Sequence, residues 1–475
     1  MKIVILGAGQ VGSSVAEVLM GEGNDITIVD SDAARLAVLQ NRFDLRTVVG
    51  DADRPSVLRR AGLEDTDLLI AITKSDQTNL IACKIAHSLF HVPRRIARLR
   101  SADFYSDKQL LAPENFAVDH ALCPEQDVAD YVAKLIQFPE ALQVVEFANG
   151  LVSLVAIRIF EGESIAGKPI KNLHILLPHG MDANVAAVFR QNKSIPPDGE
   201  VTLENGDEVF LLTATANVHS VLRALAHMSR SMERVMIAGG GNIGRRVAAC
   251  LQRGHEVKLF EVSRTRAEYL AGELKETLVL CGDATDETLL AQENISEMDM
   301  FLSLTNDDEN NIMSALMAKR MGCKRVLALI NRRAYVDMAQ GGPIDIALSP
   351  AQVSIGSLLA LVRRGDVSRV HSLRKGSAEA LEIVAHGNRH TSRVVGRTVA
   401  DLNLPPEVTI AALIRRHGGP TNEPETDRAQ IDRKHSQVII ARGETVIHSG
   451  DHAIVFCSNK QSVTEVERLF QLAQS

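Results

Sequence analysis

The sequence predicts an α/β protein: two parallel-sheet domains in tandem, each followed by a smaller α+β domain. Three observations predict it. First, Lys2-Ile-Val-Ile-Leu-Gly-Ala-Gly-Gln-Val-Gly12 returns 232 residues later as Arg234-Val-Met-Ile-Ala-Gly-Gly-Gly-Asn-Ile-Gly244. The same offset relates Gly50-Asp51 to Gly282-Asp283, Thr73 to Thr305, Asp76 to Asp308 and Asn79 to Asn311, which marks a duplicated architecture. Second, each copy alternates short β-branched runs with amphipathic stretches and places a glycine-rich turn after its first strand, so the large units read as Rossmann-like. Third, a smaller unit recurs behind each: Ser164 to Leu173 resembles Arg393 to Leu402, and Gly206-Asp207 before Val209-Phe210 matches Gly450-Asp451 before Ala453-Ile454.

Taken in order, the first copy has strands near Lys2 to Leu6, Asp25 to Val29, Leu45 to Val49, Leu68 to Ile72 and Arg94 to Leu99. Gln10 to Met20 is helical, with Val11, Val15, Val18 and Leu19 on one face, and Gln77 to Leu89 carries Leu80, Ile81, Ile85 and Leu89. Pro124 and Pro350 fall where proline is tolerated, at the first position of a helix, behind Cys123 and Ser349 as caps. The stripes behind them are Val128, Val132, Leu135 and Ile136, and Ile355, Leu358, Leu359 and Val362. Each stripe packs either on its parent domain or, as a crossover helix, on another repeat or subunit. The resulting domains are 1–124, 140–228, 232–349 and 368–475, with linker helices at 125–139 and 350–367. Between the small units the offset grows through 19 extra residues within His417 to Ser436, whose Gly, Pro, Asn, Asp and Glu content reads as a surface loop.

Composition removes several function classes. With 52 Lys+Arg against 59 Asp+Glu the net charge is −7, so no basic excess awaits a nucleic acid. No stretch reaches the roughly 20 apolar residues of a membrane span, and Leu151 to Phe160 is interrupted by Ser153 and Arg158. The start lacks a secretory signal, which places the chain in the cytoplasm. Six scattered cysteines without a C-x-x-C pair predict neither disulfides nor zinc.

The motifs that carry chemistry are glycines and carboxylates. In Gly7-Ala8-Gly9-Gln10-Val11-Gly12 the first glycine makes the turn, the second admits a pyrophosphate and the third lets helix and strand pack, with the helix N-terminus facing the anion. Asp30, ending the second strand, is placed to accept ribose hydroxyls. Gly239-Gly240-Gly241-Asn242-Ile243-Gly244 and Glu261 repeat the set. A carboxylate there favours NAD(H), ATP or ADP over NADP, although Arg264 lies close by. Thr73 and Thr305 end the fourth strand, at the edge where nucleotides bind. Asp76 and Asp308, in the shared Thr-x-x-Asp-x-x-Asn, read equally well as helix caps. Asp51 and Asp283 shape a loop first and contact ligand second. Gly162 to Pro169 fails as a P-loop because proline replaces the Ser/Thr, and His87 and His91 face Lys319 and Cys323 in the other copy, against a metal pair. No metal cluster or catalytic acid, base or nucleophile is shared by the halves.

With Leu304-Thr-Asn-Asp-Asp-Glu-Asn-Asn-Ile-Met-Ser-Ala315, Ser392-Arg-Val-Val-Gly-Arg397 and the two glycine motifs, the chain resembles the TrkA family over nearly its full length. Those are the peripheral regulatory subunits of bacterial Trk potassium uptake systems, built from two RCK (regulator of potassium conductance) modules. The resemblance implies NAD(H), and also ATP or ADP, bound without being consumed. It assigns contacts to Gly7 to Val11, Asp30, Thr73, Lys74 and Arg98, and to Gly239 to Ile243, Glu261, Thr305 and Asn306. Ile330 stands at the offset of Arg98, so the two sites should differ. It further implies four chains, an eight-module RCK ring, on the inner face of the cell membrane beneath a potassium-translocating partner of the TrkH or TrkG kind. The His417 to Ser436 insertion departs from that pattern. The rival class is an NAD-dependent oxidoreductase with duplicated cofactor domains.

Overall fold

The computed structural model describes residues 1–191, 193–226, 232–339, 342–362, 367–374, 377–416 and 436–472. Lys2–Leu6 (β1), apolar from its second residue on and buried there, lies at the middle of a six-stranded parallel sheet. Around it stand Asp25–Asp30 (β2), Arg46–Val49 (β3), Leu68–Ala71 (β4), Arg94–Arg98 (β5) and His120–Leu122 (β6), in the order β3-β2-β1-β4-β5-β6. The first five lie within a residue of the expected ends. The sixth has three residues, too few to display a period, and escapes a sequence reading. Because the chain leaves β1 towards β2 on one side and returns through β4 on the other, a crevice opens at the carboxyl ends of β1 and β4.

Seven-residue β7 (Ala141–Phe147) and β8 (Val152–Arg158), with β9 (Ala183–Arg190), β10 (Lys193–Ile195) and β11 (Glu208–Ala214), form an antiparallel sheet ordered β10-β9-β11-β8-β7. The second half repeats both sheets. Its parallel sheet is β14-β13-β12-β15-β16-β17, from Arg234–Ala238 (β12), Glu256–Glu261 (β13), Thr277–Cys281 (β14), Met300–Ser303 (β15), Arg325–Leu329 (β16) and Ile346–Leu348 (β17). Its antiparallel sheet is β18-β19-β22-β20-β21, from Val367–Leu373 (β18), Ala378–Val384 (β19), Val408–Arg416 (β20), Ser436–Ile440 (β21) and His452–Cys457 (β22). The helices Val218–Leu225 and Val463–Phe470 complete the α+β character of the small modules.

Two compact units result: Met1–Asp130 with Glu233–Ile355, holding both parallel sheets, and Tyr131–Met232 with Gly356–Ser475, holding both antiparallel ones. In the latter the two modules share one core, in which Phe189 and Phe210 from the first pack at a tilt against Phe456 from the second. The repeated Gly-Asp has a structural role: Asp207, fully buried, takes both arms of Arg190 at 2.8 Å, and Asp451 takes those of Arg415 at 2.9 and 2.8 Å. The connecting helices run Pro124–Gln137 and Pro350–Val362, and their apolar stripes are buried. The expected insertion falls between β20 and β21; residues 417–435 lie outside the described residues.

Candidate functional site

Each glycine motif splits into the three predicted roles. Gly7 and Gly239 have φ of +109° and +103°, and a Cβ there would press on the backbone of Ile72–Thr73 or Leu304–Thr305. A Cβ on Gly12 would stand 1.9 Å from the Gly7 carbonyl oxygen, and one on Gly244 equally close to that of Gly239, so helix and turn meet only through glycine. Gly9 and Gly241 border open space, with nothing within 4 Å of an added Cβ. They are also the N-caps of the helices Gln10–Gly21 and Asn242–Leu251, and no side chain caps either end. Asp32, Ser75, Ser263 and Asp307, by contrast, cap their own helices. The two uncapped ends leave backbone N–H donors and positive dipole ends for an external anion.

Asp30 Oδ2 accepts from Ala8 N at 2.6 Å and Oδ1 from Asp32 N at 2.8 Å; Glu261 Oε2 accepts from Gly240 N and Oε1 from Ser263 N, both at 2.9 Å. These bonds fix each carboxylate at its strand end while leaving acceptor capacity for hydroxyl groups. The longer glutamate explains a difference in the motif: a Cβ on Gly240 would stand 2.8 Å from Glu261 Oε2 and 2.4 Å from Leu270 Cδ1, whereas the shorter Asp30 leaves room for Ala8. Arg264 pairs with Glu268 in solvent, and Arg266 instead donates to the Gly240 carbonyl at 3.0 Å.

Thr-x-x-Asp-x-x-Asn turns out to be a clamp. Asn79, fully buried, accepts at Oδ1 from Thr73 N (3.0 Å) and Thr73 Oγ1 (2.7 Å), and donates from Nδ2 to the Arg98 carbonyl (2.8 Å). Asn311 repeats this with Thr305 and the Leu329 carbonyl. Asp76 and Asp308 stand in the first turn of their helices, where the expected complement to the helix dipole places them, and the capping bonds themselves come from Ser75 and Asp307. Asp76 accepts from Arg100 N and Ser101 N, and Asp308 from Asn331 N and Arg332 N, so both hold the loop after the fifth strand. Asp283 accepts from Thr285 N and Oγ1, and Asp51 pairs with Arg54, consistent with loop shaping. The counterpart of Arg98 needs correction. Counted from the start of the helix, the second strand comes one residue sooner, at Arg325 after Asp308 against Arg94 after Asp76, which brings Ala97 and Ala328 into register, so Leu329, not Ile330, stands in its place, and Asn331 in that of Arg100. The same shift makes Gly322 (φ +100°) the partner of His91, a left-handed residue (φ 52°) at its helix end.

The two crevices open into one cavity of about 1190 Å³, at or above the size of a pocket for a single small ligand. Of the expected site residues, Gly7, Gly9 to Gly12, Asp30, Asp51, Thr73, Lys74, Arg98, Gly239, Gly241, Asn242, Ile243, Glu261, Asp283, Thr305 and Asn306 line it. Ala8, Gly240 and Gly244 do not; the first two are buried in the turn and Gly244 in the first turn of its helix. Sequence reasoning missed Arg100 and Glu125, because the pairing that unites them is tertiary. Glu125 Oε1 takes Arg98 Nη2 at 2.6 Å and lies 3.5 Å from Arg100 Nε. Among the described residues every lysine and arginine lining the cavity (Arg35, Arg54, Lys74, Arg98, Arg100) comes from the first half, while the second contributes Glu261, Asp283 and Asp307. Among the described residues no histidine, cysteine or tyrosine lines it.

The TrkA-N domain model matches residues 3–124 and 235–350, and the TrkA-C domain model residues 154–226. Over 472 residues, 99% of each chain, the sequence is 48% identical to the Trk system potassium uptake protein TrkA of Vibrio alginolyticus, and 44% to that of Haemophilus influenzae. Among solved structures, the crystal structure of the GsuK RCK domain aligns with a TM-score of 0.62 at 18% identity, covering 99% of this chain and 94% of that one. The GsuK channel bound to NAD aligns at 0.61 and 18%, covering 99% and 78%.

Proposed function

The chain belongs to the TrkA family of Trk potassium uptake proteins, and from that premise we propose that it is a regulatory subunit gated by nucleotides held in its two Rossmann crevices. The observation that carries the reading is the pair of uncapped, glycine-opened helix ends that line one cavity, each beside a carboxylate held by its own turn. NAD(H) fits this donor set. The amides behind Gly9 and Gly241 would face its phosphates, and Asp30 and Glu261 its ribose hydroxyls. Bound there, it supplies charge and shape rather than chemistry. ADP and ATP present the same adenosine and compete for the same cradle, and the GsuK channel, a similar structure, is solved bound to NAD.

The lining also separates the sites. First-half cations balance first-half carboxylates, whereas among the described lining residues the second half offers only acidic charge, so the first crevice is the better host for the more highly charged ligand. A ligand shifts a gate only by its differential affinity for the two states. Moving one from mostly closed to mostly open takes roughly 5 kcal/mol, which several sites in a ring can share. With two RCK modules per chain, four chains would supply the eight modules of such a ring. We place it on the cytoplasmic face, beneath the potassium-translocating subunit; among the described residues no helix is long and apolar enough to cross a membrane. The domain limits 1–124, 140–228, 232–349 and 368–475 remain our working division.

Calorimetric titration of wild type, Asp30→Ala and Glu261→Ala with NADH and ADP tests the reading. Each substitution is expected to remove one class of sites, Asp30→Ala the one that prefers the more charged ligand. Equal affinities in all three proteins would overturn the site assignment, and turnover of NADH with a carbonyl substrate would restore the oxidoreductase alternative.

A further inference from the structure

Arg246 is the fifth residue of the helix Asn242–Leu251, whose uncapped N-terminus opens the second crevice. It is 8% exposed and does not line the cavity. Its guanidinium reaches the other half of the unit. Nη1 donates to Gln126 Oε1 at 2.6 Å, Nη2 to the Arg100 carbonyl oxygen at 2.5 Å, and the group lies 6.0 Å from the Tyr105 ring centroid. Both acceptors are uncharged, and among the described residues Nε has no hydrogen-bond partner.

A buried charge held this way is a poor source of stability, since an apolar side chain of similar volume packs as well. Its distinctive property is position. Arg100 and Gln126 flank the first crevice's ion-pair cluster: Arg100 Nε is 3.5 Å from Glu125, Glu125 holds Arg98 at 2.6 Å, and Gln126 neighbours Glu125 and donates to Asp130 at 2.8 Å. Among the described residues Glu125 Oε2 and Arg98 Nε are buried without a hydrogen-bond partner, so neither group's bonding capacity is filled. The brace is also one-sided. Gln126 recurs as Gln352, but the position of Arg246 is filled in the first half by Ser14, too short to make the reciprocal contact.

We propose that Arg246 is a positioning residue that couples the two crevices, so that occupancy at the second helix end shifts the Arg98–Glu125–Arg100 cluster of the first site. The coupling is a ligand-binding free energy shared by two sites through one connected set of bonds. The proposal rests on the reading that both crevices bind nucleotide, and the experiment separates the two.

NADH is titrated into the full chain. The two-site isotherm of the wild type is compared with the single-site constants from Glu261→Ala (first site alone) and Asp30→Ala (second site alone), which gives a coupling factor. The same three titrations are made in an Arg246→Met background. The expected result is a coupling factor changed by about fivefold or more, the lower end of usual allosteric couplings, with single-site constants within about twofold. An unchanged coupling factor overturns the role of Arg246 while leaving the nucleotide sites intact. If Asp30→Ala and Glu261→Ala fail to remove one site each, the nucleotide reading falls, and this inference with it. Should Arg246→Met not fold, Gln126→Leu removes the Nη1 bond from the opposite side and is read by the same criteria.

Discussion

At the scale of single residues, the two crevices are the same device tuned differently. The length of one side chain sets its neighbour: glutamate at 261 requires glycine at 240, whereas aspartate at 30 admits alanine at 8. Gly240→Ala is therefore expected to displace the Glu261 carboxylate and the end of Leu270, at about 1–3 kcal/mol in chemical denaturation, and to weaken NADH binding at the second site alone. Glu261→Asp introduced with it should recover part of the loss. Loss at both sites, or none, would contradict this account. The glycines and both carboxylates were legible in the sequence because each has a steric or electrostatic reason that acts within one turn. Glu125 was not, because its partner Arg98 lies 27 residues away and only the packed fold brings them within 2.6 Å.

At the scale of elements, the Thr-x-x-Asp-x-x-Asn segment shows how a motif can be visible while its role is not. Its asparagine closes the end of the fourth strand on the end of the fifth, and its aspartate ties down the loop that follows. Asn79→Ala leaves the Arg98 carbonyl and the Thr73 amide without their partner in a buried place. The expected cost is about 1–3 kcal/mol, with weakened nucleotide binding at the first site. Asn311→Ala should match it in stability and affect the second site. Denaturation midpoints of the two variants check the equivalence. In the first large copy the strands of four residues or more showed their pattern in sequence, whereas β6, like β10 and β17, has three residues and none to show. The one-residue shift that makes Leu329 the counterpart of Arg98 arises by the left-handed residues behind the two helices, His91 and Gly322, and a constant offset hides it.

At the scale of the whole molecule, the chain sorts its modules by kind, large with large and small with small, rather than by order. The small pair is joined by its shared core and by polar contacts such as His371, which lies 3.2 Å from the Glu146 carbonyl and edge-on to Phe147. Burial, reinforced by nearby Arg369, pushes the His371 imidazole down to about 4. The unfolded chain takes up this proton near pH 6.5. Between pH 6.5 and about 4 the unfolded state thus binds more protons than the folded one, and stability falls as the pH falls. The loss should be on the order of 3 kcal/mol across that window, and His371→Gln should flatten the dependence. Denaturant titrations at pH 7 and pH 4.5 on both proteins test this; parallel curves would refute it.

The amino-acid sequence alone determined the duplication, the two alternating strand and helix patterns and the nucleotide-type turns, since those depend on residues close along the chain whose sterics and periodicity act locally. Only the tertiary structure decided that the crevices share a cavity, that its cations come from one half, and that Arg246 spans the two. Those properties depend on which surfaces meet when apolar faces are buried, and hydrophobic burial, being non-directional, leaves little mark of its partner in a linear sequence.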